Sequence, residues 1–349
     1  MELSANRPAG PGYDAPVTTL QDVADEAQVS RAVASRALSG DPRARISRET
    51  RQRILEAAER LGYRPNQLAR GLRTARANAL ALVVPSVTNA VFAELVAGVE
   101  TVASSAGFAV FLGQLGSNRD LQALVGEGRV DGVILQRDEA TPDDELLRLL
   151  DIRQPVVLFN STLEGHVGSV VLPDEAAARL ATEHLLKLGH RRIGFLGGPP
   201  VHDAAGRRQA GFLAAAQASG LELDPGQCIQ GGWEADAGVA GVAGLHAAVP
   251  GLTGIVVASV NAALGAMTSC QRLGLRVPED VSIISVHDTW FAEVSHPALT
   301  VVRMPMRKAG QTAAAMLMEG FAGADLRDVL VDDPMPQIAL RGSTGRAPQ

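Results

Sequence analysis

Arg31, Ala32, Ser35 and Arg36 share the polar side of a short helical stretch whose opposite stripe is Val33, Ala34, Ala37 and Leu38. An arginine fork in that position can donate two parallel hydrogen bonds to guanine O6 and N7, an alanine methyl can touch a thymine methyl, and serine or arginine can hold a phosphate. No comparable set of residues points to catalysis. Gly194 to Gly198 lacks a phosphate-binding spacing and a downstream acid, no Gly-x-Ser-x-Gly elbow occurs, and the seven histidines show no metal-ligand spacing. His184 and His190, six residues apart, do not share a helix face. The expectation is a protein that is not an enzyme and needs neither cofactor nor metal.

Charge has to be read by segment. The chain of 349 residues is 46% apolar and 20% charged, which fits two or three globular units, and its formal charge is −6. Residues 18 to 76 carry twelve arginines against seven acids, a net of +5, with −1 before them and −10 after them. A small basic head on a large acidic body suits a head that meets a polyanion while the body stays off it. Arginines on a solvated helical surface are the plainer explanation, so local pattern must decide.

The elements that position these side chains begin after a leader, 1–17, that mixes Pro, Gly, Ala and Asn without apolar periodicity. Thr19 caps a first helix with Leu20, Val23, Ala24 and Ala27 inward, and Ser30 caps the second after a break at Gln28-Val29. Ser47 caps a third, with Ile54, Leu55, Ala58 and Leu61 inward and Gly62 as its stop. Two short helices joined by so tight a turn form a helix-turn-helix, and 18–64 is a complete three-helix domain. The segment that follows, 65–77, starts at an Asn cap but contains Gly71 and has no partner face, so it is a candidate for folding on binding.

The ordered run Thr19-Leu20-Gln21-Asp22-Val23-Ala24, Val29-Ser30, Ser35-Arg36-Ala37-Leu38, Leu61-Gly62-Tyr63-Arg64-Pro65-Asn66 and Ala69-Arg70-Gly71-Leu72-Arg73 resembles the DNA-binding head and hinge of the lac repressor (LacI/GalR) family. The resemblance implies DNA contacts at Thr19, Ser30, Arg31, Ala32, Ser35 and Arg36. It also implies a hinge helix in which Asn66 is the cap, Ala69 packs in the minor groove and Leu72 wedges into a central base step, the unstacking being repaid by added contacts. Without the motif, Leu72 would be read as a linker leucine packed on the body. Three positions depart from the family pattern: Gln28 stands where the turn usually has Gly, Val33-Ala34 replaces Thr-Val, and Arg31-Ala32 is an uncommon reading pair.

From Ala79 onward apolar strands alternate with helical stretches. The strands are expected at Leu80 to Val84, Ala109 to Leu112, Gly132 to Leu135, Val156 to Phe159, Val170-Val171, Ile193 to Leu196, Ile255 to Val257 and Val281 to Val286. This predicts parallel sheets covered by helices. The resemblance continues through Val130-Asp131-Gly132, Leu188-Gly189-His190 and Pro297-Ala298-Leu299-Thr300, and covers roughly 18 to 344. The fold it implies is an all-α helix-turn-helix head joined by a hinge helix to an α/β body of two Rossmann-like lobes, 78–344, like a periplasmic binding protein. A tail occupies 345–349, and the chain crosses between the lobes near 172, 301 and 332.

Matched position by position, the resemblance places an effector between the lobes, against Arg208 for its polar groups and Trp233 for packing, with Asp174, Asn89, Asn160 and Ser161 around it. Two positions depart. Ala258-Ser259-Val260 stands for the usual Ala-Asn-Asp, and Val286-His287-Asp288 for Tyr-Asp-Asp, so His287 and Asp288 either take over or the ligand is less polar or anionic. Residues 113 to 129 are also about one turn shorter than the family's usual segment.

The protein expected from all this is a homodimeric or higher-order repressor of double-stranded inverted-repeat operator DNA, controlled by a small-molecule effector such as a sugar. The alternatives are a corepressor or non-sugar ligand, or a small-molecule-binding protein without regulatory role. Two cysteines, Cys228 and Cys270, and no basic-then-apolar leader give a cytoplasmic expectation. The uncharged run from Ala237 to Gln271 contains Pro250 and six glycines, which argues against a membrane span.

Overall fold

Hydroxyl caps set the starts of the three head helices, α1 (Leu20–Glu26), α2 (Arg31–Leu38) and α3 (Arg48–Arg60). Thr19 accepts from the Asp22 amide while the Asp22 carboxylate accepts from the Thr19 amide, a reciprocal capping box. Ser30 Oγ accepts from the Val33 amide, and Ser47 Oγ from the Thr50 amide. The computed structural model describes residues 18–38, 44–63, 76–114, 127–138, 141–150 and 152–349. The leader and the hinge positions Asn66, Ala69 and Leu72 lie outside those residues. Val23, Ala24, Ala27, Ala34, Ala37, Ile54, Ala57 and Ala58 form the head's core. Six of the eight are alanines, so the three helices approach closely.

Gln28 has a φ of +52°, the left-handed conformation that glycine adopts without a Cβ penalty. Gln28→Gly is therefore expected to stabilise the head by about 1 kcal/mol. Slower amide hydrogen exchange in α1 and α2 of the full chain would show it, and unchanged or faster exchange would contradict it.

The described residues separate into two units, one ending at Ala77 and one beginning at Asn78. In the second unit the strands are β1 (Ala79–Val84), β2 (Ala109–Gln114), β3 (Gly132–Leu135), β4 (Val156–Phe159), β5 (Ser169–Val171), β6 (Ile193–Gly197), β7 (Cys228–Gln230), β8 (Gly254–Val257), β9 (Ser282–Val286), β10 (Thr300–Arg303), β11 (Val329–Leu330) and β12 (Gln337–Ala339). They form two six-stranded sheets, ordered β11-β5-β4-β3-β1-β2 and β12-β10-β9-β8-β6-β7. Every pairing is parallel except β12 on β10. In each sheet the strand order reverses beside the first strand, between β1 and β3 and between β6 and β8, and such a switch point opens a crevice at the carboxyl ends of the strands.

The helices that cover these sheets are α4 (Ala93–Ser105), α5 (Asp143–Leu150), α6 (Asp174–Lys187), α7 (Asp203–Ala218), α8 (Ala235–Ala248), α9 (Val260–Arg272), α10 (Trp290–Val294) and α11 (Met306–Phe321). Three helix pairs, α4 with α11, α6 with α7 and α8 with α9, cross where a glycine meets the neighbouring backbone. Gly98 and Gly310 face each other's helices in the first lobe, and Gly238 and Gly265 do so in the second, leaving no room for a Cβ. Such small-residue faces let the paired helices pack backbone to backbone.

The chain passes from the first lobe to the second between β5 and α6, returns between β10 and α11, and leaves again between β11 and β12. The first and last passages fall at the expected places. The second comes later than expected: Val301 is still inside β10, paired with Ser285 and Ala339, and Met304-Pro305 makes the passage.

Candidate functional site

On the head, Arg31, Ala32 and Arg36 are exposed on α2 and Ser35 is half-buried. Ser30 and Thr19 are exposed as well, each engaged as a helix cap. Three other arginines have structural work within the head. Arg53 Nε donates to the Ala27 carbonyl and Arg51 Nη1 to the Ala37 carbonyl, closing the C-terminal ends of α1 and α2, while Arg60 pairs with Glu26. The basic charge of the head is thus divided between holding it together and presenting α2.

In the body, a cavity of about 590 Å³ lies between the two lobes. Its lining comes from segments that follow strand ends: Ser86 and Asn89 after β1, Gln136 to Asp138 after β3, Asn160 and Ser161 after β4, His202 and Asp203 after β6, Trp233 and Glu234 after β7, Ser259 after β8 and His287 after β9. Of the residues expected around an effector, Asn89, Asn160, Ser161, Arg208, Trp233 and His287 line this cavity.

Asp174 and Asp288 do not. Asp174 is fully buried behind the lining, where Oδ1 accepts from Arg208 Nε at 2.7 Å and Oδ2 from Arg207 Nη2 at 2.9 Å. It is a support for the arginines, not a cavity wall. Asp288 is held by Arg303 Nε at 2.8 Å and Arg341 Nη2 at 2.9 Å, tying the end of β9 to β10 and to the segment after β12. Its carboxylate is therefore engaged with two guanidinium groups and cannot replace the missing family aspartate.

Arg208 organises the floor. Besides Asp174, it donates to the Ala258 carbonyl and to His287 Nε2, the latter at 2.7 Å, and its guanidinium lies 5.2 Å from the Trp233 ring centroid. A guanidinium only donates, so His287 accepts through Nε2 and carries its proton on Nδ1, which has no hydrogen-bond partner. Trp233 Nε1 donates to His202 Nδ1 at 2.9 Å, and Ser259 Oγ donates to the Trp233 carbonyl at 2.7 Å. Asn160 and His287 both hold positive φ, +53° and +71°, backbone strain of the kind found at ligand sites. Val260, at the position of the usual family aspartate, is buried in the second lobe's core.

Burial, with Arg208 beside it, pushes the His287 imidazole down to about 3. Asp174 is also low, because the attraction of Arg208 and then Arg207 outweighs burial, which acts in the opposite sense. Between about pH 6.5 and 3 the unfolded chain binds a proton that folded His287 refuses, so its contribution is present above 6.5 and is lost as the pH falls. Asp174 adds a loss in the same direction below the ordinary carboxylate range. Burial also lowers His166, His184, His190 and His202. The urea midpoint of the chain is expected to fall steadily from pH 7 to pH 5; a flat midpoint would contradict the buried neutral histidines.

The sequence reading missed Gln136, Arg137, Asp138, His202, Asp203 and Glu234, all of which line the cavity. The rule that ligands sit at the carboxyl ends of parallel strands would have found them.

A two-lobed body with a cavity at its strand ends, on a chain that also carries a helix-turn-helix head, defines a small-molecule-binding DNA regulator. Comparison with known proteins makes this specific. Residues 19–66 match the family model for bacterial regulatory proteins of the lacI family, and residues 182–344 match that of the periplasmic binding protein-like domain. Catabolite control protein A of Priestia megaterium is 33% identical over 335 residues, covering 93% of this chain and 99% of that protein. The crystal structure of a LacI family transcriptional regulator from Mycobacterium smegmatis is 44% identical with a TM-score of 0.74, over 77% of this chain and 100% of that one. The lac repressor dimer bound to operator and the anti-inducer ONPF is 25% identical with a TM-score of 0.77, over 94% of this chain and 99% of that one. The chain belongs to the LacI family of DNA-binding transcriptional regulators, whose members are regulators and not enzymes. Among the described residues no helix is long and apolar enough to cross a membrane.

Proposed function

We propose that the chain is a cytoplasmic homodimeric repressor that binds an inverted-repeat operator and is controlled by a sugar or related metabolite held between its lobes. The observation that carries this reading is the interlobe cavity, lined from both lobes and floored by the Arg208 network. Thr19, Ser30, Arg31, Ala32, Ser35 and Arg36 contact the major groove and its phosphates. Asn66, Ala69 and Leu72 form the hinge that enters the minor groove, with Leu72 as the wedge. Asn89, Asn160, Ser161, Arg208, Trp233 and His287 contact the ligand, with Asp174 supporting Arg208. Phe111 and Leu112 on edge strand β2, and Trp290 and Val294 on α10, are exposed apolar surfaces available to a second copy.

Three hydrogen-bonded pairs tie the lobes beside the cavity. Arg207 Nη2 donates to Asn160 Oδ1 at 2.8 Å, the Thr162 amide to Asp203 Oδ2 at 2.7 Å, and Asn89 Nδ2 to Glu234 Oε1 at 3.5 Å. A ligand among these pairs changes the free energy of lobe closure, and the hinge transmits it as a coupling of about 1–3 kcal/mol. The test is a thermal-shift screen of the full chain against sugars, nucleosides and small acids, followed by operator-binding titrations with each compound that raises Tm. At least one such compound should change operator affinity by about 5–150-fold. Stabilising compounds that all leave operator affinity unchanged would sink ligand control.

A further inference from the structure

The inference rests on reading the interlobe cavity as the ligand site, and concerns which ligands that site admits. The N-termini of α7 and α8 both open on the cavity. Such termini ordinarily attract anions, because unpaired amides and the helix dipole favour negative charge. Here the chain's own carboxylates stand beside them: Asp203 is the first residue of α7, and Glu234 is the N-cap of α8. Asp203 accepts from the Thr162 amide at 2.7 Å and its hydroxyl at 3.1 Å, and Glu234 accepts from the Asn261 amide group at 2.9 Å and from Asn89. Neither carboxylate is ion-paired with an arginine or lysine among the described residues.

The cationic side chains of the lining cannot offset them, since both are already engaged. Arg208 shares Asp174 with Arg207, a cluster of one net positive charge set against Asp138, Asp203 and Glu234 in the lining, and Arg137 pairs with Asp143 at 2.6 Å and donates to the Thr141 carbonyl. Burial keeps His202 and His287 neutral. Three buried atoms of the lining lack partners and define the hydrogen-bonding complement: His287 Nδ1 and His202 Nε2, donors, and Gln136 Oε1, an acceptor. A hydroxyl can serve any of them. A carboxylate or phosphate on the ligand would meet Asp203 and Glu234 while each arginine of the lining is already paired with a carboxylate of the chain.

We propose that the cavity excludes anionic ligands and takes a polyhydroxylated molecule that is uncharged or carries an amine. Sugar phosphates and sugar acids are thereby rejected in favour of their neutral or amino counterparts.

The electrostatic claim can be measured without knowing the ligand. Trp233 lines the cavity, and the only other tryptophan, Trp290, is exposed outside it. In the full chain carrying Trp290→Phe, fluorescence quenching by caesium, acrylamide and iodide is compared at constant ionic strength, each constant divided by its value for free N-acetyltryptophanamide. Caesium is expected to exceed iodide by about twofold or more. Asp203→Asn combined with Glu234→Gln should bring that ratio toward one while leaving acrylamide unchanged. An iodide constant equal to or above that of caesium overturns the proposal. Matched trios such as glucose, glucosamine and glucose 6-phosphate are run by thermal shift on the unaltered chain, and a phosphorylated member that stabilises more than its parent also overturns it. If no trio binds, the quenching ratio decides. A caesium-favouring ratio in a chain whose operator binding no small molecule changes would defeat ligand control while upholding the charge selection.

Discussion

Asp174→Asn is expected to cost the body about 3–5 kcal/mol of stability, because it removes, from a fully buried position, the only carboxylate among the described residues within ion-pair distance of Arg208. Asparagine keeps one acceptor oxygen but not the charge, so two guanidinium groups, one of them buried, are left facing a neutral amide. A loss of that size is a large part of the roughly 5–15 kcal/mol that holds a typical domain together. Urea unfolding of the full chain should show a sharply lower midpoint for the body. Pairing Asp174→Leu with Arg208→Met should recover much of the loss, since apolar replacement of a whole buried pair is close to neutral. If Asp174 instead touched the ligand directly, Asp174→Asn would weaken ligand binding with little change in the midpoint, and that outcome would return it to the cavity wall.

Arg31→Ala is expected to remove about 1–3 kcal/mol of discrimination at one base pair in each half-site, and to leave preferences elsewhere in the operator unchanged. Arg31 is exposed at the first turn of α2, where the fork of a recognition helix reaches base edges, and the short Ala32 beside it leaves the groove open. A phosphate contact behaves differently, weakening all sequences about equally. Competition between operators substituted at single positions separates the two. If the ranking of those operators is the same for Arg31→Ala as for the parent, Arg31 does not read a base.

Much of this architecture was legible because it is written in local chemistry. Thr19, Ser30 and Ser47 mark helix starts by the same hydroxyl-to-amide bonds that the structure contains, and the strands from Leu80 to Val286 announce themselves as short apolar runs between turn residues. What was not legible depends on partners distant in sequence. Strands β7, β10, β11 and β12 are two to four residues long and gain their identity from the neighbours they pair with. The site was legible to the same extent. Arg208, Trp233 and His287 line the cavity between the lobes, whereas Asp288 resembles a ligand-facing acid in sequence and is turned to Arg303 and Arg341 by packing that only the fold reveals. Asp203 and Glu234 look like ordinary helix-start acids, and their place on one shared cavity is a property of the folded body.

Regulation of the proposed kind requires that the basic head bind operator DNA through several phosphates. The most direct measurement is the affinity of the full chain for a duplex selected by it from a randomised pool, followed as salt is raised from 50 to 200 mM. The selected duplex should be an inverted repeat, and the logarithm of the binding constant should fall linearly with the logarithm of salt, losing about 10³–10⁵ in affinity if six to ten phosphates are neutralised. A pool that yields no inverted repeat, or an affinity that stays flat across that range, would contradict the assignment of this chain as an operator-binding regulator.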